Sequence, residues 1–308
     1  MIHSLNPLGR SSKFQLVGND VTDGKNLVGH WFPEQSRVEW LWNALGVDQS
    51  LIKMSQAESA LWDEWADSEV RTESPHLSDR LRFSLSGWQK RYPDIGHALD
   101  AADIDLDLAG KTVLDVGGSG KDMAYWLRAL PESIDQVEVS PRSQFLCKTR
   151  VSNGLDPDTG KTVPIYYHTI PAEKLPFDDD SFDFAFSRAT LHHCKRPDVF
   201  QQIARVMKPG GILLFVEPYL SDTMHWLMRT RRKLLKRDRG TDDPLRSSEM
   251  KHLENLLCLS QTANASFYSG SLLRLLRSKR QNQDWDSTPR NLAMSVTFAG
   301  KKADALTA

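Results

Sequence analysis

The sequence predicts an α/β fold, a mostly parallel sheet doubly wound by helices on both faces. Three observations predict it. Thr112 to Val116 is an apolar run of strand length, broken only by Asp115, and it runs straight into the glycine-rich turn Gly117-Gly-Ser-Gly-Lys-Asp122. A helical pattern, Met123 to Leu130, follows that turn. Strand and helix patterns then keep alternating as far as Pro218, the rhythm of crossover units that leaves parallel strands side by side.

Taken in chain order, the first 100 residues form an N-terminal extension. Phe14 to Val17 and Asn26 to His30 flank Asp23-Gly24, which suggests a hairpin. Pro33 to Leu45, closed by Gly46, and Leu51 to Ala66 carry helical spacing. Six of the nine tryptophans, Trp31, Trp40, Trp42, Trp62, Trp65 and Trp88, fall in this extension. Some of those rings are expected to pack as an aromatic core and others to line a cap over a ligand. Residues 101–308 form the second unit, with a basic helical insertion at about 221–258. Its next strand, Ile134 to Val139, stops at Ser140-Pro141, and Ser181 to Phe186 and the run ending at Val216 supply two more. Asn291 to Lys302 reads as the last strand. Ligands of such sheets bind outside the carboxyl ends of the strands, where Gly117, Glu138, Ala172, Ser187 and Glu217 fall.

The chemistry of the turn is specific. Gly117, Gly118 and Gly120 lack the Cβ atoms that would keep backbone N–H groups away from a ligand. Glu138 lies 23 positions past Asp115, close to the separation of about 20 at which a nucleotide fold sets a ribose-binding carboxylate. Further on come Ala172-Glu-Lys-Leu-Pro-Phe177, Ser181-Phe-Asp-Phe-Ala-Phe186, Leu191-His-His193 and Arg205-Val-Met-Lys-Pro-Gly-Gly-Ile-Leu-Leu-Phe-Val-Glu-Pro218. In this order the blocks resemble a class I S-adenosylmethionine-dependent methyltransferase of the small-molecule group, over roughly residues 108–218. The resemblance implies a seven-stranded Rossmann-like sheet closed by an antiparallel strand. It also implies S-adenosylmethionine as cofactor, with Asp115, Gly117, Gly118, Gly120, Glu138, Val139, Ala172, Glu173 and Ser187 around it. Two departures stand out. The glycine run is one residue short of Asp-x-Gly-x-Gly-x-Gly, so a tighter turn is expected, and Pro171 stands where the family often has an Asp for the adenine amino group. Glu173 or the backbone around Ala172 is expected to take that contact.

Composition narrows the class. A net charge of −1 argues against a general nucleic-acid binder, which carries a basic excess to displace counterions. No apolar stretch approaches the ~20 residues of a membrane span, and the first ten residues lack a signal-peptide pattern. Cys147, Cys194 and Cys258 have no metal-ligand spacing and leave an odd count for disulfides, so no metal and a cytoplasmic setting are expected. Met228 to Arg239 holds seven basic residues among twelve, beside Trp226 and Leu227. Three readings compete for Arg229 to Arg239: a solvated helix face, contact with an anionic membrane, or grip on an acidic substrate.

Methyl transfer needs positioning, exclusion of water and, for a hydroxyl acceptor, a base. His193 and His192, just past the fourth core strand, are candidates, with Glu217 a rival and His30 and Tyr92 further residues that reach in from the extension. The reading is a methyltransferase for a small or lipid-like organic acceptor, at oxygen. Alternatives are transfer to nitrogen or carbon, a non-catalytic cofactor-binding partner subunit, or a nucleic-acid methyltransferase, against which the balanced charge argues.

Overall fold

The computed structural model describes residues 35–72, 85–117, 120, 122–151, 160–234, 243–257, 259–267 and 295–303. The expected hairpin at 14–30 with His30, Trp31, Gly118, and Lys236, Arg237 and Arg239 of the basic run lie outside them. The strands are β1 (Thr112–Val116), β2 (Ser133–Glu138), β3 (Ile165–Thr169), β4 (Phe182–Arg188), β5 (Met207–Leu220), β6 (Leu245–Arg246), β7 (Leu259–Phe267) and β8 (Ser295–Lys302). Seven of them lie in the order β3-β2-β1-β4-β5-β8-β7, and the two-residue β6 pairs with β5. β1 to β5 are mutually parallel, so their carboxyl ends share one edge. β8 runs antiparallel to both β5 and β7, as expected for the closing strand.

Nine helices are described: α1 (Gln35–Ala44), α2 (Gln49–Thr72), α3 (Leu85–Arg91), α4 (Pro93–Ala101), α5 (Met123–Trp126), α6 (Pro141–Arg150), α7 (Arg196–Val206), α8 (Asp222–Leu234) and α9 (Ser247–Leu256). The period-2 alternation of the central strands feeds two cores. Leu114, Val116, Leu213 and Phe215 join residues of α1, α2, α7 and α9 on one face. Val113, Phe184, Phe186 and Leu214 join Trp88 of α3, Ile95 and Leu99 of α4 and Trp126 of α5 on the other. The helix expected over Met123 to Leu130 is shorter, because its second turn tightens to 3₁₀ geometry at Leu127–Ala129 and stops before Pro131, which has no N–H to extend it. α6 starts where the sequence signals it: the Ser140 hydroxyl accepts from the Ser143 amide and Pro141 takes the first helical position.

The tryptophans of α1 and α3 divide by burial. Trp42 and Trp88 are fully buried, while Trp40 is exposed. Trp42 also donates its indole N–H to the Thr169 carbonyl at 2.8 Å, tying α1 to the end of β3. Trp42→Ala is therefore expected to cost about 3–5 kcal/mol of unfolding free energy, and Trp42→Phe, which keeps most of the ring, nearer 1 kcal/mol. Urea denaturation monitored by circular dichroism checks this, and equal midpoints for wild type and Trp42→Ala would contradict it.

Candidate active site

A cavity of about 250 Å³ opens at the carboxyl edge of the sheet, far larger than the roughly 10–15 Å³ that one water needs. The strand ends supply its floor: Asp115 and Gly117 at the end of β1, Glu138 and Val139 at the end of β2, Ala172 and Glu173 past β3, and Arg188 to Thr190 at the end of β4. Gly120 and Asp122 close the glycine loop over it. α2 supplies the wall, through Met54, Ser55, Glu58, Trp62 and Trp65. Tyr92, at the start of α4, faces in from the opposite side.

Gly117 has a packing role besides the one the sequence suggests. Its φ is +70°, and a Cβ there would meet the Thr190 methyl at 2.1 Å, so the space is filled by the protein itself. Thr190 in turn donates its hydroxyl to the Gly117 carbonyl at 2.8 Å. At Gly120 (φ +77°) a Cβ would meet the Cys147 sulfur at 2.9 Å. Glycine at these two positions lets the loop pack on its neighbours, and the shape of the cavity follows from that packing.

The wall is fixed by hydrogen bonds. Asp63 of α2 accepts from the Ser140 hydroxyl at 2.6 Å and from the Arg142 amide, Asp67 pairs with the Arg142 guanidinium, and the Ser143 hydroxyl donates to the Trp62 carbonyl. α2 is thus held on the first turn of α6. On the other side Asp122 accepts from the Trp88 indole at 2.7 Å and from two nitrogens of Arg188 at 2.8 and 2.9 Å. The Arg188 guanidinium lies 4.1 Å from the Tyr92 ring centroid.

Acid dominates the lining. Among the described lining residues five are carboxylates, Glu58, Asp115, Asp122, Glu138 and Glu173, against one guanidinium, Arg188, already paired with Asp122. Burial pushes the Glu138 carboxyl up to about 7, against the opposing pull of the Ser140 amide that it accepts from at 3.0 Å. Burial also lifts Asp115 well above the usual carboxylate range, helped by the charges of Asp122 and Glu138. Glu173 is raised for the same first reason, burial, although it accepts from the Lys195 amide at 2.7 Å.

The three candidates for a base separate here. His193 lines the cavity, with Nδ1 3.4 Å from Glu58 Oε2 and the Trp62 ring edge-on at 5.6 Å. Glu217 and His192 are not among its lining residues. Glu217 Oε1 accepts from the Thr190 and Leu191 amides at 2.8 and 2.9 Å and from the Ser187 hydroxyl at 3.3 Å, and Oε2 pairs with His192 Nδ1 at 2.7 Å. A carboxylate with every one of these donors has a positioning role. Ser187 is likewise buried against Glu217 and is not among the lining residues. Reasoning from sequence missed Glu58, Asp122 and Arg188. Asp122 and Arg188 had a readable signal, one ending the glycine loop and the other ending β4, whereas Glu58 had none. Among the described residues no group of three or more His, Cys, Asp or Glu is arranged to hold a metal ion, and no helix is long and apolar enough to cross a membrane.

A family described as "Methyltransferase domain" matches residues 114–215, and a second of the same description matches 168–285. A probable phthiotriol/phenolphthiotriol dimycocerosates methyltransferase 2 of Mycobacterium ulcerans is 34% identical over 197 residues, 63% of each chain. The ubiquinone/menaquinone biosynthesis C-methyltransferase UbiE of Pseudomonas fluorescens is 32% identical over 112 residues, 35% of this chain and 42% of its own. The chain thus spans less than two thirds of the length of either relative. A crystal structure of geranyl diphosphate C-methyltransferase from Streptomyces coelicolor A3(2) covers 69% of this chain and 76% of its own, at 14% identity and a TM-score of 0.49. The methyltransferase domain matched over residues 114–215 runs from β1 into β5, and so includes the strand ends that floor the cavity.

Proposed function

We propose that the protein methylates a small or lipid-like organic acceptor at a hydroxyl oxygen, with His193 taking the proton. The observation that carries this reading is the placement of His193 at the cavity wall, Nδ1 toward Glu58 and ring against Trp62. The names of the relatives, which include a phthiotriol dimycocerosates and a ubiquinone/menaquinone methyltransferase, support an acceptor of lipid-like character. So do Met54, Trp62 and Trp65 on the α2 wall, which offer apolar surface to such a molecule.

The residues present fit the cofactor. A cavity with surplus buried carboxylate favours a ligand that brings positive charge, and Glu138 at the end of β2 suits two vicinal ribose hydroxyls. Asp115, Gly117, Gly120, Val139, Ala172 and Glu173 would complete its surroundings. When bound, S-adenosylmethionine supplies an electrophilic methyl group whose bonding electron pair leaves with sulfur. His193 accepts the hydroxyl proton as the new oxygen–carbon bond forms, Glu58 favours the resulting imidazolium, and the α2 wall excludes water.

Two outcomes follow. Glu138→Ala is expected to weaken S-adenosylhomocysteine binding by about 1.5–3 kcal/mol in calorimetry. Burial places the Glu138 carboxyl at about 7, so below that pH a proton must leave before the charged acceptor forms. Affinity should therefore rise with pH up to about 7, by at most tenfold per unit, and level off above it. Glu138→Gln should flatten that dependence, and a wild-type affinity independent of pH from 5.5 to 8, a window chosen as roughly one unit or more either side of that value, would contradict the assignment.

Turnover tests the base. With a quinol and a long-chain secondary alcohol as probes, His193→Gln should lower kcat by about 10²–10⁴-fold and Glu58→Gln by at least about tenfold, both with cofactor affinity unchanged. Unchanged kcat in both variants would remove the proton-transfer role and favour transfer to carbon or nitrogen.

A further inference from the structure

We infer that the outer face of α8 is a docking surface for an anionic phospholipid membrane. At 100° per residue, Thr223, Trp226, Leu227, Thr230 and Leu234 fall on one stripe of this helix. That stripe faces solvent: Trp226 is 64% exposed, Leu227 47% and Leu234 79%. A surface helix of a soluble fold normally turns such residues inward. Here the inward position belongs to His225, buried and bonded through Nε2 to Asp243 at 2.6 Å, so the apolar stripe has no room to rotate toward the core. Arg229 and Arg231 are exposed on either side of the stripe. From Thr223 to Arg237 the sequence has no carboxylate. An indole and two leucines flanked by arginines are the pattern of a helix lying in the headgroup region of a membrane.

Charge decides between occupants. A second copy meeting this face across a two-fold axis would set arginine against arginine and stripe against stripe, whereas an anionic leaflet satisfies both the charge and the apolar surface. α8 also begins two residues beyond β5, whose carboxyl end lies at the same edge of the sheet as the cavity. The surface goes beyond the proposed reaction and stands independently of which atom is methylated.

Sedimentation of the full chain with phosphatidylcholine vesicles and with mixed phosphatidylcholine–phosphatidylglycerol vesicles tests it. The protein is expected to pellet with the mixed vesicles alone and to be released as salt rises. Arg229→Gln with Arg231→Gln should lower the partition by about thirtyfold, at about fivefold per charge, and Arg229→Lys with Arg231→Lys should restore it. Trp226→Ala with Leu227→Ala should abolish it, while the affinity for S-adenosylhomocysteine stays as in wild type. Equal pelleting with both vesicle types, or pelleting unaffected by either set of substitutions, would overturn the proposal. So would a concentration-dependent dimer in vesicle-free solution that Trp226→Ala dissolves, because the face would then belong to a second copy.

Discussion

One buried carboxylate holds the working edge of this protein in place. Glu217 stands at the end of β5, 1% exposed, and gathers the Ser187 hydroxyl, the Thr190 and Leu191 amides and the His192 ring. The segment it grips is one that the chain would not adopt unaided, since Ala189 sits at a φ of +52°, a conformation that costs a non-glycine residue about 1 kcal/mol or more. Hydrogen bonds from neutral donors to a charged acceptor contribute about 1.5–3 kcal/mol each when buried, so several of them outweigh that strain. With the turn fixed, Thr190 reaches the Gly117 carbonyl and His193 reaches the cavity. The glycine loop and the candidate base are thereby referred to one point.

The N-terminal extension belongs to the same construction. α2 contributes one wall of the cavity and is joined to α6 through Asp63, Asp67 and the Trp62 carbonyl. Those bonds fall on the first turn of α6, where orphan amides favour acidic partners. The same helix therefore positions Glu58 against His193 and Trp62 against its ring. Opposite it, Asp122 ties Trp88 of α3 to Arg188 at the end of β4. Both sides of the cavity are thus braced by carboxylates whose partners come from another element. Of the carboxylates that line the cavity, Asp122 serves as a strut, while Asp115 and Glu138 are buried at raised pKa.

Much of this was legible in the sequence, and the failures share a cause. Strand positions follow from apolar runs bounded by turn residues, so β1, β2, β4 and β8 fall where Thr112 to Val116, Ile134 to Val139, Ser181 to Phe186 and Asn291 to Lys302 put them, within a few residues. A strand end also marks the edge where ligands of such sheets bind, and Asp115, Gly117, Glu138, Val139, Ala172 and Glu173, expected there from the sequence, line the cavity. It does not tell which way a side chain turns there. Ser187, His192 and Glu217 sit at that edge and face each other rather than the cavity. Glu58 lies 135 positions from His193, on a helix whose amphipathic pattern reads as ordinary packing, and no local signal brings the two together. At Gly117 the sequence points to space for a ligand, whereas the neighbour that a Cβ would meet, Thr190, lies 73 positions away and leaves no local signal.

The Glu217 anchor extends beyond the cavity. The His192 carbonyl accepts from the Asp243 amide at 3.2 Å, and Arg196 at the start of α7 bonds the Asp243 carbonyl and carboxylate at 2.7 and 2.6 Å and Glu249 of α9 at 2.7 Å. Asp243 also receives His225 of α8. Breaking the Arg196–Glu249 pair, 7% and 14% exposed, would leave an uncompensated buried charge, which makes this part of the cluster stiff rather than adaptable. Arg196 is 7% exposed, so its four acceptors, the His192 carbonyl included, cannot be exchanged for water without opening the packing of α7. The orientation of α8 is consequently set by the same polar cluster that fixes the turn beside His193. Its apolar stripe faces outward because the inward side is committed to Asp243, and the exposure of Trp226 is a structural consequence of how the active edge is held.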